Sequence, residues 1–189
     1  MPGFTFELMQ QKPDRRRERR TTFRLLVGTA GPYGEVALKV TNYPREATLV
    51  GEGLPEASIS HPDASYGSIP IDARTRLMVG GVAAQLTQNR RALRKEDRGI
   101  GIKLGHRDYT YVCADTGREE LRDSTRGPVV REDGFGADSA VRIVVLSGAD
   151  ATDLAVGILM QGANTLGLTV GGAVFSGVMS FLNGSKGQG

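Results

Sequence analysis

Between Phe4 and about Leu146, apolar and polar residues alternate with a period of two, the spacing that puts alternate side chains on opposite faces of an extended strand. Phe4, Phe6 and Leu8 alternate with Thr5 and Glu7. Val36, Leu38 and Val40 alternate with Ala37 and Lys39, after a turn signal at Gly31, Pro32 and Gly34. Ile100, Ile102 and Leu104 follow the same rule, as do Tyr109, Tyr111 and Cys113, in a β-branched and aromatic run that sheets favour. Val141, Ile143 and Val145 close the series. Turn signals at Asp63 to Gly67, Asp115 to Gly117, Arg126 to Pro128 and Asp133 to Gly136 punctuate the region. The stretch Val82 to Arg94 could place Val82, Leu86 and Leu93 on one helical face, but Thr87 and Asn89 break that face and it reads as strand. At roughly 12 residues per strand and turn, this region holds about a dozen strands. The pattern predicts a mainly β protein: a closed antiparallel β-barrel of about twelve strands around a C-terminal hydrophobic helix, with a sandwich as the other antiparallel arrangement.

The period then changes. Asp150 and Asp153 stand just ahead of an apolar run, where carboxylates suit the free N–H groups and positive end of a helix, so a helix should open near Ala151. From Leu154 to Leu182 no residue is charged, and Gly157, Gly162, Gly167, Gly171, Gly172 and Gly177 are interleaved with large apolar residues. A helix apolar all round must be enclosed by lipid or by protein. The run exceeds the ~20 residues needed to cross a bilayer, and Ala163, Gly167 and Gly171 form a small-xxx-small series. Gln161 and Asn164 inside the run, and the scarcity of flanking charge, favour enclosure by the barrel. The boundaries read as 1–150 for the barrel, 151–183 for the apolar helix, which glycines 162 to 172 could split in two, and 184–189 for a flexible tail. If the barrel encloses the helix, deleting residues 154–189 should leave an insoluble barrel. If the helix is an anchor, the same deletion should leave a soluble one.

Charge adds a second contrast. Lys12 to Arg24 holds seven basic residues against Asp14 and Glu18, and Arg90 to Arg107 seven against Glu96 and Asp97, although the whole chain is only +3. Such clusters attract phosphates and anionic lipid or form the solvated face of strands. Arg15, Arg16, Arg17, Arg19 and Arg20, with Arg90, Arg91, Arg94 and Lys95, are where contact with anionic lipid is electrostatically reasonable. Nucleic acid fits less well, because Phe23 alone near the first cluster could stack on a base.

Candidate chemistry is sparse. One Cys excludes an intramolecular disulfide framework and a Cys-based zinc cage. His61, in His-Pro-Asp, reads as a surface turn; His106 reads as part of a hairpin turn; Cys113 reads as an inward, structural thiol. Gly99, Gly101 and Gly105 miss the dinucleotide spacing. No catalytic, metal or cofactor residue is assigned. Met1 to Gln10 lacks the basic start of a signal peptide and contains Glu7, so the expected location is cytoplasmic, peripheral to a membrane.

The order of elements is informative in one further way. A long antiparallel series, then Val141 to Leu146, then Asp150-Ala-Thr-Asp153-Leu-Ala-Val opening the apolar run resembles the tubby C-terminal-like superfamily, which includes LURP-one-related proteins and phospholipid scramblases. Arg107-Asp-Tyr-Thr-Tyr-Val, Glu120-Leu-Arg-Asp and Gly127-Pro-Val-Val are similar to the paired strands that precede the last strand and helix in that group. The resemblance implies a non-enzymatic barrel whose relatives associate with membranes, some through phosphoinositide head groups. The alternative is a soluble β-domain whose C-terminal helix crosses a membrane or inserts into an assembly. A protein partner or a homo-oligomer through the glycine-rich run is also an expectation.

Overall fold

The structure is a computed structural model that describes residues 2–63, 67–88, 98–115, 118–133, 140–165 and 168. The alternating stretches are strands: β1 (Phe4–Gln10), β2 (Thr22–Thr29), β3 (Glu35–Asn42), β4 (Arg45–Gly51), β5 (Ala57–His61) and β6 (Arg76–Val79). They continue as β7 (Val82–Gln88), β8 (Ile100–Leu104), β9 (Arg107–Asp115), β10 (Arg118–Asp123), β11 (Gly127–Asp133) and β12 (Ala140–Val145). Each strand pairs antiparallel with its sequence neighbours, and β1 pairs with β12 from Phe4↔Val145 to Met9↔Ala140, closing a barrel of twelve strands. Closure leaves no sheet edge exposed. A short helix, α1 (Arg16–Thr21), joins β1 to β2.

The last helix, α2 (Ala151–Met160), lies inside the barrel, against β4, β5, β6, β10 and β11. Every residue from Asp153 to Met160 is buried, so the all-round apolar face is enclosed by the inward residues of the strands, such as Leu38, Leu49, Ile59, Leu77 and Ile143. Leu154, Val156, Ile158, Leu159 and Met160 at about 2 kcal/mol each contribute on the order of 10 kcal/mol of gross transfer energy, as much as the whole net stability of a typical domain. Gly157 packs where an added Cβ would lie 2.9 Å from Val130 Cγ1, so the helix approaches the wall too closely for a side chain there.

The helix is shorter than the sequence suggests. It stops at Met160 rather than running to residue 183, and residues 161–165 are not helical. The reason is tertiary: the segment after Met160 turns to pair with the β5–β6 connection, with Ile69 donating to the Gly162 carbonyl at 2.9 Å and Asn164 to the Ile69 carbonyl at 2.7 Å. A Cβ on Gly162 would stand 2.5 Å from Ala47 Cβ, so a glycine is what permits the turn. The rest of the expected helix, residues 166, 167 and 169–183, and the expected tail at 184–189 lie outside the described residues. No helix of the described residues is long and apolar enough to cross a membrane.

Candidate functional site

Strand alternation sorts the connections onto two ends of the barrel. One end carries 29–35, 51–57, 79–82, 104–107, 123–127 and 145–151, where α2 begins. The other carries 10–22, 42–45, 61–76, 88–100, 115–118 and 133–140, where the chain leaves α2.

The first end is capped by matched charges. Asp150 accepts from the amides of Thr152 and Asp153 at 2.9 and 3.1 Å, and Asp153 Oδ2 accepts from the Asp150 amide at 2.9 Å, a reciprocal capping box. The fully buried Asp153 carboxylate also accepts from Arg126 at 2.7 and 2.8 Å, from Arg107 at 3.1 Å and from the Tyr109 hydroxyl at 2.7 Å. Burial works against its charge, yet these donors outweigh burial and hold the carboxyl below its ordinary range. Asp123, 2.9 Å from Arg126, is held low chiefly by that guanidinium.

The second end holds a cavity of about 370 Å³ that is open to solvent. Phe23 and Arg24 of β2, Arg45 of β4 and Glu119 of β10 form its walls, and Met160, Gln161, Asn164 and Thr165 come from the end of α2 and beyond. Beside it, the Tyr111 hydroxyl stands 2.5 Å from Glu119 Oε2 and 2.6 Å from Glu132 Oε2, and the Gln161 amide donates to the same Glu132 oxygen. A phenol has one proton, so it can donate to only one of the two carboxyls; the second contact needs a proton on the acid. Burial, and then the neighbouring charge of Glu119, push Glu132 up to about 8, so Glu132 holds that proton at neutral pH. Burial raises Glu119 and Tyr111 as well. Glu132 Oε1 is buried without a hydrogen bond among the described residues, in contrast to the fully used oxygens of Asp153.

Of the basic residues singled out by the sequence, those on and beside α1 fall at this second end. Arg15, Arg16, Arg19 and Arg20 are exposed on and beside α1, and none forms an ion pair among the described residues; Arg19 Nε donates to the Pro13 carbonyl at 2.6 Å. Glu18 of α1 faces Lys39 Nζ of β3 at 3.9 Å, and α1 packs on β2. The backbone of Arg17 belongs to α1. Arg90, Arg91, Arg94 and Lys95 lie outside the described residues, between Gln88 at the end of β7 and Arg98 ahead of β8.

Two readings of single residues change. His61 is not on a surface turn: it is buried at the end of β5, with Nε2 3.1 Å from both oxygens of Asp72 and Nδ1 accepting from the Asp63 amide at 3.1 Å. The β5–β6 connection folds inward over it through Ile69 and Ile71, a long-range packing effect that the local turn sequence does not carry. Cys113 is half-buried rather than fully inward, its thiol 3.1 Å from the Asp115 carbonyl near the strand end. His106 does sit in the hairpin turn between β8 and β9, beside Gly105 at φ +59°. Among the described residues no group of three His, Cys, Asp or Glu side chains could hold a metal ion.

Arg24, Arg45, Glu119, Tyr111 and Glu132 do not stand out as a group in the sequence. The signal was parity: Glu132 shares a face with inward Val130, and Glu119 with inward Leu121, so two carboxylates point into an apolar barrel.

The fold and this site define a closed up-and-down β-barrel threaded by a buried helix, capped by ion pairs at one end and hollow at the other. Scans of family models, curated proteins and solved structures found nothing that matches the chain.

Proposed function

We propose that the chain is a non-enzymatic binding module that docks its hollow, basic end on an anionic lipid surface. The observation that carries this reading is the grouping of exposed, unpaired Arg15, Arg16, Arg19 and Arg20 at the end where the chain leaves α2. At that end Arg74 is paired with Asp63 at 2.8 Å and Arg118 with Asp133 at 2.8 Å, whereas these four arginines of α1 and its start have no carboxylate partner among the described residues. Each basic residue near an anionic leaflet contributes about 1 kcal/mol. The barrel-and-helix architecture supports the likeness to tubby-like proteins, and that likeness supports membrane contact by analogy of fold.

A second reading keeps a specific support: residues 166–182 contain no charge, and the chain heads toward them from the basic end. Because α2 is enclosed, this reading places the inserting segment in 166–182, at the lower limit of what spans a bilayer (~17 residues).

Sedimentation of the full chain with phosphatidylcholine vesicles, with and without phosphatidylserine, separates the two. Docking by charge predicts binding to the anionic vesicles alone, weakened by salt and by Arg→Gln changes at Arg15, Arg16, Arg19 and Arg20. Equal binding to neutral vesicles favours insertion of 166–182, and binding to neither overturns both.

A further inference from the structure

Arg24 is an unusual cation among the described residues. Its guanidinium lines the cavity half-buried, and among the described residues no carboxylate lies within ion-pair distance of it. Its hydrogen bond is a long one, Nη1 to the Gln161 carbonyl at 3.4 Å. Loss of water lowers its proton affinity, and the field of Glu132 only partly restores it. A charge stripped of water without a counter-charge is costly, and an anionic ligand is the usual remedy. Glu132 does not supply one, since it shares its proton contact with Tyr111 and is neutral at pH 7, and Glu119, which also lines the cavity, bonds the Tyr111 hydroxyl and forms no ion pair with Arg24 among the described residues.

The rest of the wall suits the same ligand. Arg45, buried at the start of β4, adds a second guanidinium and is fixed by a hydrogen bond from Nη2 to the Ser68 carbonyl. Ser68 adds a hydroxyl, and Thr165 a second one that also bonds Glu119. Two guanidiniums and flanking hydroxyls exceed what the two oxygens of a carboxylate can use, and they match the three oxygens and double charge of a phosphomonoester. Phe23 and Met160 offer an apolar wall for a small organic remainder, and about 370 Å³ lies at the lower end of ligand-pocket sizes.

We propose that this cavity binds a phosphomonoester group, with Arg24 as its principal anchor. The site is separate from α1 and does not depend on the vesicle reading: the cavity can fill in solution even if the chain ignores membranes.

Titration calorimetry of the full chain with inorganic phosphate and with glycerol 3-phosphate tests it, alongside vesicles containing phosphatidic acid. The expected result is saturable binding of one phosphate per chain, weakened tenfold or more by Arg24→Gln and unaffected by Lys103→Gln on the outer face of β8. Arg24→Lys, which keeps the charge and loses the fork, should fall between. If Arg24-dependent binding occurs only on phosphatidic acid vesicles, the same group is taken from a lipid. A thermal melt of each variant checks folding. A pH series gives an independent signature in unmutated protein. Glu132 is faced by Tyr111 of β9, Glu119 of β10, Arg24 of β2 and Gln161 beyond α2. Ionisation of Glu132 beside Arg24 should weaken binding as pH rises through about 8, above the second phosphate ionisation near pH 6, and Glu132→Gln should remove that decline. Absence of saturable binding to phosphate, glycerol 3-phosphate and phosphatidic acid vesicles, or binding that Arg24→Gln leaves intact, overturns the proposal.

Discussion

At the capped end of the barrel, Asp153 is a buried acid surrounded by donors; at the hollow end, Glu132 is a buried acid that keeps its proton and leaves one oxygen without a hydrogen bond among the described residues. Both side chains are fully buried, so burial alone does not decide the protonation state. The difference is the number of cations within reach. Arg107 and Arg126 both touch Asp153, whereas Arg24 acts on Glu132 only through its field and Glu119 opposes it. One end is therefore a structural clamp on the start of α2, and the other holds unsatisfied polar capacity around a cavity, which is the pattern expected of a binding site.

Removing α2 is the most drastic way to break this arrangement. A chain ending at Asp153 loses the five large apolar side chains that fill the barrel, and it should be recovered aggregated, without a cooperative melt. A soluble, folded product would show that the barrel stands without its core helix.

Opening the clamp comes next. Asp153→Ala leaves two guanidiniums and the Tyr109 hydroxyl without their shared acceptor, and breaking a buried pair costs about 3 kcal/mol. Arg107 and Arg126 keep some contact with water, which places the loss at the low end of that class. Urea unfolding at neutral pH measures it.

Glu132→Gln should act with the opposite sign. A carboxyl whose folded proton affinity is raised contributes stability below its unfolded value, about 4.3, and loses it as pH rises through the folded value. For Glu132 the window runs from about 4.3 to about 8. Asp72, Asp123 and Asp153 are held low, so they contribute above about 3.9 and lose that contribution as pH falls. The unmutated chain should be most stable near pH 5, declining in both directions. Glu132→Gln should flatten the alkaline side and raise stability at pH 8.5, by on the order of a few kcal/mol at about 1.4 kcal/mol per pH unit. A decline unchanged by the substitution would place the raised acid elsewhere.

The barrel was legible in the sequence because period-two alternation marks β1, β3, β8, β9 and β12 and turn signals punctuate the stretches between, although bulges and paired buried residues blur it in β10 and β11, and because Asp150 and Asp153 announce the helix they cap. The end of that helix was legible only as the alternative of a break among glycines 162 to 172, since the contact of Gly162 with Ala47 and the pairing of Ile69 with Ala163 join residues about a hundred positions apart. The cavity was only half legible. Parity places Glu119 and Glu132 inside, but nothing local says that β2 and β4 bring Arg24 and Arg45 to the same mouth. The burial of His61 was hidden for the same reason: its partner Asp72 is supplied by a folded-in connection.

The smallest expected effect on stability belongs to α1. Replacing Arg15, Arg16, Arg19 and Arg20 by Gln should change the free energy of unfolding by less than about 0.5 kcal/mol per residue. The same variant should lose its affinity for anionic vesicles, which separates a docking surface from a structural one.

The contrast between the two ends is read most directly by following both carboxyls in a single carbon-detected NMR titration of uniformly labelled protein. Asp153 should titrate below the ordinary aspartate range while Glu132 titrates near 8. If both carboxyls titrate together near their ordinary value of about 4, the two ends do not differ in the way described, and the hollow end holds no protonated acid beside Arg24.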